Sequence, residues 1–471
     1  MRILHWFRKD LRLDDNLALS EAVADAAGDV VPFYASEPEM LARADMAPAR
    51  VRFALESLAD LRDAIEALGS RLVLDHGPAV DTVARAAAAA GATAVYWNEE
   101  YEPSLIERDR AVEQVLRARG FEVRRFDDRL LVPPGAVMTR SGTPFVVFGA
   151  FERACRALPQ AAPRARVTRL AAHSLPSPPL ATLERLGFVA PPLQDRSGGA
   201  RHAERRLADF LSRLEAYAQE RDRPAASATS RLSADLKFGT LSVRRVEAAV
   251  SDAAIADPRL AFSASKFVSE LRWRDFFAHV LFHFPHCERG AFRPEYDALE
   301  WPGDVAHFEA WRAGLTGYPI VDAGMRELAR SGTMHNRVRM IVASFLVKDL
   351  LLDWRLGERH FMQHLIDGDL ASNNGGWQWA ASTGTDAVPY FRVFNPLLQG
   401  MRFDPRGEYV RRWIPEVAHL EDRCVHRPWE MDQGVPGYPR PIVDPGIQRA
   451  KAVELYRKAG KAQPRVDLAR N

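Results

Sequence analysis

Residues 49–76 read ARVRFALESLADLRDAIEALGSRLVLDH, and this stretch decides the fold class of the first part of the chain. Through 49–69 the apolar residues recur every three or four positions, which is typical of a helix with one buried face. The run RLVLDH at 71–76 then has the length and apolar character of a strand. A long helix that leads directly into a strand is the repeating unit of a parallel sheet covered by helices.

The same alternation continues on both sides of this stretch. A second helical pattern occupies 103–120, and the further candidate strands are RILHWF (2–7), DVVPFYA (29–35), AVYWN (94–98) and FEVRRF (121–126). We therefore predict an α/β domain over 1–130, with a Rossmann-like parallel sheet covered by helices.

The composition changes beyond residue 130. We predict a long interdomain connector over 131–200, because its second part is rich in Pro, Ala and Ser and has no sustained periodicity. From 201 to 471 the strand signals largely vanish, and helical patterns such as 334–356 and 357–370 follow one another. The prediction for this half is an all-α domain.

Composition describes an ordinary globular protein, with 47% hydrophobic and 27% charged residues among 471. A net charge of +2 means that a nucleic-acid partner must be bound by a local basic patch. The three widely spaced cysteines fit a reducing compartment, and the charged N-terminus is unlike a signal peptide. Because there is also no apolar run of about 18 residues, we predict a cytoplasmic protein without a membrane segment.

The segment 367–386, DGDLASNNGGWQWAASTGTD, has the composition of a polar pocket bordered by aromatic rings. It holds three carboxylates, two adjacent amides and two tryptophans. On a helix, residues two positions apart point about 200° away from each other. Trp377 and Trp379 are therefore expected to serve different purposes.

Basic and hydroxyl side chains are concentrated in 221–245, around the sequence ATSRLS. Hydroxyls and backbone N–H groups at the start of a helix suit a phosphate, although a capped, solvated helix has the same composition. On a later helix, Glu270, Trp273 and Arg274 share one face, as they also would on an amphipathic helix with a local ion pair.

A third constellation lies in TMHNRVRM, at 333–340. Asn336 and Met340 are one helical turn apart, with Arg339 beside them and Arg337 on a neighbouring face. Such a set could line a pocket for a planar, partly apolar ligand, or the methionine could be core and the arginines surface.

Three tryptophans, Trp301, Trp354 and Trp377, are predicted to lie in separate helices, and each could equally be a core residue. The sequence contains no catalytic triad, P-loop, GxGxxG or Cys/His metal cluster. Hydrolytic, kinase and zinc chemistries therefore have little support.

Together these motifs resemble the DNA photolyase/cryptochrome family, and within it the cyclobutane pyrimidine dimer photolyases. The resemblance runs over nearly the whole chain, from WFRKDLRLDDNLAL (6–19) through RDRPAASATSRLS and GYPIVDAGMREL, and it is densest in 357–396. It implies an α/β antenna domain followed by an all-α FAD-binding domain, and one FAD per chain that is active in its reduced form.

Carried over position by position, the resemblance implies a set of FAD-binding residues. Asn373 would face flavin N5 and favour the reduced forms, while Arg339 and Asp367 would form a pair beside the flavin. The other implied cofactor-binding residues are Tyr217, Thr229, Ser230, Arg231, Leu232, Ser233, Arg274 and Asp369.

The same resemblance implies substrate and electron-transfer residues. Glu270 would hydrogen-bond the base edges of the lesion, and Trp377, Trp354 and Trp301 would carry electrons that photoreduce FAD. The implied lesion pocket and DNA contacts are Trp273, Asn336, Met340, Trp379, Arg221, Arg337 and Arg392.

The implied reaction is light-driven: excited FADH⁻ passes an electron to a flipped-out dimer, and the cyclobutane ring opens. The implied partner is UV-damaged DNA, bound by a monomer without an obligate protein partner. The identity of an antenna chromophore is open, because the 98–109 segment lacks the Asn-Glu pair with which some members hold methenyltetrahydrofolate. The alternatives are a folate that is held differently, a deazaflavin, or no antenna chromophore.

The sequence departs from the family pattern at two positions, and other light-dependent or nucleotide-binding proteins are alternatives. Thr333 replaces the family's usual Trp, and Ala228 a common Gly. A (6-4) photolyase typically carries paired histidines around HNR, where this chain has Asn336 and Met340. A cryptochrome photoreceptor would often add a long C-terminal tail, and the N-terminal half alone resembles a nucleotide-binding electron-transfer flavoprotein or a USP-like module.

Overall fold

A computed structural model describes residues 1–190 and 196–461, so that parts of the predicted connector and of the C-terminal domain, 191–195 and 462–471, lie outside the described residues. The chain forms two compact units. Unit 1 contains Met1–Ala218, Ala228–His283 and Ile366–Ala371, and unit 2 contains Gln219–Ser227, Phe284–Leu365 and the chain from Ser372 onward. The predicted sequence boundaries at 130 and 200 stay a prediction.

Unit 1 is built on a sheet of parallel strands, which are β1 (Ile3–Phe7), β2 (Val30–Ser36), β3 (Val73–His76), β4 (Ala94–Asn98) and β5 (Glu122–Phe126). Their order is β3-β2-β1-β4-β5, with Ile3 of β1 paired to Val30 on one side and to Ala94 on the other. Strands β1 and β4 are buried along their whole length, which accounts for their continuous apolar runs. The predicted parallel α/β sheet is confirmed.

The helices follow the strands and then continue alone. In chain order they are α1 (Leu17–Asp25), α2 (Pro38–Leu41), α3 (Pro48–Glu66), α4 (Ala79–Ala90), α5 (Pro103–Ala118), α6 (Phe148–Arg156), α7 (Ala200–Leu211), α8 (Tyr217–Glu220), α9 (Ser233–Phe238), α10 (Val243–Ala256), α11 (Ala261–His283), α12 (Val305–Ala313), α13 (Pro319–Ser331), α14 (Asn336–Ser344), α15 (Trp354–His364), α16 (Leu370–Ala381), α17 (Pro396–Phe403), α18 (Glu408–Trp413) and α19 (Pro445–Lys461).

Both faces of the sheet are covered by apolar clusters of unit 1. Leu4 and Trp6 belong to one cluster, while Ile3 and Phe7 belong to the other. This is the alternation that successive residues of a strand must show. The predicted helical covering of both faces is therefore present.

Buried ion pairs join the segments that follow β1 and β5 to helix α10, within unit 1. Asp128 accepts hydrogen bonds from Arg12 at 2.5 Å and from Arg244 at 2.7 Å, and Arg244 also lies 3.0 Å from Asp15. A buried carboxylate needs such partners, since an uncompensated charge in the interior is costly. Because α10 supplies Arg244, the segment from Ala228 to His283 packs with the α/β elements.

Among the described residues of unit 2, the regular elements are all helices, and one large apolar core contains Trp311, Val342, Trp354 and Trp377. The prediction of an all-α second half is confirmed. Two predicted helices are shorter than expected, however. The pattern over 334–356 is interrupted by a π-helix at Phe345–Asp349, and the pattern over 357–370 ends at His364.

The prediction that Trp301 lies in a helix is wrong. Trp301 precedes Pro302 in a segment without regular structure, and α12 begins only at Val305. A residue before proline is pushed away from the helical region by the proline ring. Asp304 then caps the helix, because its side chain accepts a hydrogen bond from Ala306 N at 2.8 Å.

Candidate flavin and lesion site

The segment Thr229–Ser233 forms the turn that leads into α9 in unit 1. Arg231 has a φ of 57°, a left-handed conformation that residues other than glycine seldom adopt. Ser230 Oγ accepts a hydrogen bond from Leu232 N at 3.4 Å. Such backbone strain is typical of sites that hold a ligand, and the hydroxyls suit a phosphate. The predicted phosphate-binding role is compatible with this turn.

Tyr217, also predicted to lie near the FAD phosphates, begins α8 and is buried. Its ring packs edge-on against Phe210 and Phe267, with centroids 5.6 and 5.4 Å away. The phenol ring is therefore fixed by the helical core of unit 1.

Arg274 and Asp369 lie on one small cavity of unit 1, together with Glu102 and Arg129. Arg274 donates to Arg129 O at 2.8 Å, and Arg129 Nη2 lies 4.0 Å from Asp369 Oδ2. Lys237 is close by: burial and the charge of Lys9 lower its pKa to about 7, against the pull of Asp369 and Glu102. The structure thus brings two predicted cofactor residues together within a dense set of charges.

Helix α14 in unit 2 presents the predicted lesion-pocket residues. It begins at Asn336, and His335 caps it by accepting a hydrogen bond from Arg337 N at 3.2 Å. Arg337 reaches Met340 Sδ at 3.6 Å and Asp222 Oδ1 at 2.9 Å. Asn336 and Met340 thus lie one turn apart on α14, with Arg337 in contact with the Met340 sulfur. Arg337, which is predicted to contact a DNA phosphate, already has an acidic neighbour.

Arg339, on the same helix, is half-buried and donates from Nε to Met334 O at 2.8 Å. Asp367, its predicted partner, belongs to unit 1. Their pairing stays a prediction.

Helix α16 carries the polar segment, and it separates the two tryptophans as expected. Trp377 is 2% exposed, whereas Trp379 is half-buried. Asn373 donates from Nδ2 to Glu358 O at 3.0 Å, which fixes the orientation of its amide. The two side chains thus differ in burial, and their different purposes stay a prediction.

Gln378, between the two tryptophans, was not predicted to have a role. Its Oε1 accepts from Phe292 N at 2.7 Å, and its Nε2 donates to Gly290 O at 3.1 Å and to Asn374 Oδ1 at 2.9 Å. These bonds hold the start of the 290–292 loop against α16 in unit 2.

The tryptophans proposed for electron transfer all lie in unit 2. Trp354 is the first residue of α15 and is almost fully buried, and Trp377 packs directly over Gly357, one turn further along the same helix. A side chain at position 357 would overlap the Trp377 ring. Trp301 lies 6.2 Å from the Tyr456 ring, measured between centroids. Trp377 thus packs against α15 about one turn after Trp354.

The remaining predicted residues differ in exposure. Glu270 and Trp273 are half-buried on α11, Arg221 is half-buried, and Arg392 is exposed. Among the residues that sequence reasoning missed are Arg129, Lys237 and Gly357. Gly357 had a signal, because a glycine inside a helical pattern indicates close packing, and Lys237 lies in the basic segment 221–245.

A larger cavity of unit 1, about 260 Å³, lies elsewhere and has no predicted site residue on its wall. Asp60, Arg166, Arg201 and Glu204 contribute to its lining. Within the described ranges, no group of three His, Cys, Asp or Glu side chains could hold a metal ion. No helix of the described chain is long and apolar enough to cross a bilayer.

Two family models match this chain. The DNA photolyase model covers residues 3–171, and the model of the FAD binding domain of DNA photolyase covers 267–458. Proteins named deoxyribodipyrimidine photo-lyase are similar over almost their entire length: the Synechococcus protein is 40% identical, covering 99% of both chains, and the Escherichia coli protein is 41% identical, covering 98% and 99%.

The chain belongs to the DNA photolyase family.

Solved structures of photolyases and cryptochromes share the same fold. A bacterial class III photolyase from Agrobacterium tumefaciens has a TM-score of 0.91 at 40% identity, covering 98% of each chain. A Synechocystis cryptochrome has a TM-score of 0.87 at only 28% identity, covering 96% and 99%. The predicted family and the two-part fold of a photolyase are confirmed.

Proposed function

We propose that this protein is a light-driven deoxyribodipyrimidine photo-lyase that repairs cyclobutane pyrimidine dimers in DNA. The feature that carries the choice of lesion is α14, where Asn336 and Met340 lie one helical turn apart and Arg337 contacts the Met340 sulfur. An amide and a thioether there suit a planar base pair with polar edges and an apolar ring.

FAD fits the residues that the chain presents. The strained hydroxyl-bearing turn at 229–233 suits its phosphates, and Arg274 and Asp369 lie on the wall of one small cavity with Arg129. Asn373 uses its Nδ2 to bind Glu358 O, so its Oδ1 is the atom left to accept a hydrogen bond from a flavin N–H. We infer that these residues, with Tyr217, Arg339 and Asp367, hold the cofactor.

When bound, reduced FAD supplies the light-excited electron that opens the cyclobutane ring, and recovers it afterwards. The protein's part is to bind and orient the lesion. Trp273 and Trp379 would stack against the extruded pyrimidines, and Glu270 would hydrogen-bond their edges. Extrusion costs only a few kcal/mol, and less for a lesion that is already poorly paired.

The DNA backbone would be held by Arg221, Arg337 and Arg392. Phosphate contacts position a duplex without reading its sequence, which suits an enzyme that must act wherever a dimer forms. With a net charge of +2, this binding depends on these local guanidiniums.

We further propose that Trp377, Trp354 and Trp301 deliver electrons for photoreduction of the cofactor. This proposal is supported by the packing of Trp377 against α15 at Gly357, about one turn after Trp354, the first residue of that helix. The identity of an antenna chromophore stays open. A photolyase structure from Sulfolobus tokodaii contains two FAD molecules. Its sequence is 35% identical to this chain, with a TM-score of 0.85 and coverage of 97% of this chain and 100% of that chain. Monomeric state and cytoplasmic location remain predictions.

A repair assay tests the proposal. Purified, photoreduced protein is mixed with an oligonucleotide that contains one thymine cyclobutane dimer, and loss of the dimer is followed under blue light and in the dark. We expect loss only under illumination, and a strong decrease for Glu270→Gln. Absence of light-dependent repair by the wild-type protein contradicts the proposal.

A second oligonucleotide, carrying a (6-4) photoproduct, separates the two lesion classes. Repair of this substrate in preference to the cyclobutane dimer would make the assignment of Asn336 and Met340 wrong. The visible spectrum of the same sample reports whether flavin is bound.

A further inference from the structure

The closest aromatic stack on α11 joins two residues that are far apart in the sequence. Phe148 and Trp273 lie nearly parallel, with an interplanar angle of 11° and ring centroids 3.7 Å apart. Trp273 is a proposed lesion-stacking residue, whereas Phe148 belongs to the stretch predicted as a connector. Both residues are part of unit 1.

Helix α6, which begins at Phe148, is anchored to α11 by other side chains. Phe151 packs against Phe276 and His279, with centroids 5.4 and 4.8 Å away. Glu152 lies 3.8 Å from Arg272. The position of Phe148 is therefore fixed by its helix and does not depend on the stack itself.

The stack fixes the plane of the Trp273 indole. Two more rings touch it, Phe276 edge-on at 5.6 Å and Phe277 at an inclined angle at 5.5 Å, and neither lies parallel to the indole. Phe148 is almost fully buried, while Trp273 keeps part of its surface exposed. With one face covered by a buried ring, the indole can accept a planar base only on its other face.

We infer that Phe148 is a positioning residue for lesion recognition: it holds the Trp273 indole in one orientation, so that an extruded pyrimidine pair meets a preformed aromatic surface. This inference rests on the proposed function of Trp273. Preorganised aromatic surfaces bind better because the side chain loses little freedom on binding. The role is indirect, since Phe148 acts only through Trp273.

The test compares dark binding of two duplexes, one with a single thymine dimer and one undamaged. Phe148→Leu keeps an apolar side chain but removes the stacked ring, and a stacked pair contributes about 0.5–1.5 kcal/mol beyond its buried area. We expect the preference for the dimer, which is the ratio of the two binding constants, to fall about 2- to 12-fold, the factor that corresponds to this range of energies. Binding of undamaged DNA should be unchanged, because phosphate contacts are made by other residues.

Two variants serve as controls. Phe151→Leu shortens another phenylalanine of α6 against the same helix without touching the stack, and we expect its dimer preference to match the wild type. Phe148→Tyr keeps the ring and should restore the preference. If Phe148→Leu does not fold, Phe148→Met replaces it in the comparison.

Equal losses for Phe148→Leu and Phe151→Leu would overturn the inference, because loosening of α6 would then explain both. An unchanged preference in Phe148→Leu would overturn it as well. A wild-type protein that does not prefer the dimer at all would instead contradict the proposed function. The two failures are thus distinguishable.

Discussion

At the scale of single residues, Gly357 shows how a missing side chain shapes the site. The Trp377 ring occupies the space that a Cβ at position 357 would fill. The glycine is helical and lies three residues after Trp354, so the Trp377 ring packs on α15 about one turn after the residue with which that helix begins. Its role is close approach and not backbone flexibility.

Gly357→Ala is expected to displace Trp377 and to slow photoreduction of the bound flavin. Overpacking a tight core typically costs about 1–3 kcal/mol, and here the ring must move away from α15. The measurement is the rate of flavin photoreduction under blue light. Leu356→Ala, which changes an exposed side chain of the same helix, should behave like the wild type.

Repair by chemically prereduced Gly357→Ala should stay close to the wild-type rate, since that assay needs no electron from Trp377. Unchanged photoreduction in this variant would contradict the packing argument.

A second single residue, Asp275 of α11, links stability to pH. It is fully buried and accepts hydrogen bonds from Leu131 N at 2.8 Å and Val132 N at 3.2 Å. Burial raises the pKa of its carboxyl to about 7, against the effect of Arg274. Since the unfolded carboxyl has a pKa near 3.9, the folded state binds more protons between pH 4 and 7.

The contribution of Asp275 to stability should therefore be largest below about pH 4 and decrease as the pH rises to 7. Asp275→Asn removes this titration. We expect the stability difference between wild type and variant, measured by urea unfolding, to shift in favour of the variant from pH 5 to pH 7. A difference that does not change with pH would show that the carboxyl is ionised throughout.

At the scale of elements, the proposed electron-transfer residues come from three different local structures. Trp377 lies within α16, Trp354 opens α15, and Trp301 lies in the irregular segment before α12. Gly303 of that segment donates to Leu351 O at 3.0 Å, next to the turn between the π-helix and α15. This irregular segment is therefore joined through the backbone to the turn that links the π-helix to α15.

Trp301→Phe should impair flavin photoreduction and leave repair by prereduced protein nearly intact. The reason is that phenylalanine keeps the packing but is much harder to oxidise than an indole. Trp413→Phe is a matched control, because Trp413 is likewise partly buried against the core of unit 2. Loss of both activities in Trp301→Phe would contradict the assigned role.

At the scale of the whole molecule, a net charge of +2 leaves DNA binding to local guanidiniums. Arg337 is one of them, and its carboxylate neighbour Asp222 competes with phosphate for the same N–H donors. Arg337 also lies over the Phe403 ring at 4.5 Å. Its side chain is thus already oriented before DNA arrives.

Arg337→Gln is expected to weaken DNA binding equally for all sequences. The slope of the logarithm of the binding constant against the logarithm of the salt concentration should decrease by about one phosphate contact. Asp222→Asn should strengthen binding, because Arg337 loses its competitor. Glu220→Gln makes the same charge change at a pair with Arg223, 3.0 Å apart, and controls for net charge. Equal effects of the two acidic variants, measured by titration at several salt concentrations, would contradict a specific role for Arg337.

The sequence by itself determined the layers of the fold. Strand runs such as 94–98 and the amphipathic helix at 49–69 are local patterns, because burial of one face imposes a period on neighbouring residues. The separation of Trp377 from Trp379 followed from helix geometry alone. Trp301 was misassigned although Pro302 carried the local signal.

Only the tertiary structure decided which distant residues meet. Phe148 stacks on Trp273 from within the 131–200 stretch that was predicted as a connector, and the Asp222–Arg337 pair joins residues 115 positions apart. The π-helix within 334–356 could not be predicted from periodicity either. All five of its residues are buried, so the pattern of burial does not mark the change from an α-helix to a π-helix. Such contacts depend on packing between elements, and periodicity describes each element alone.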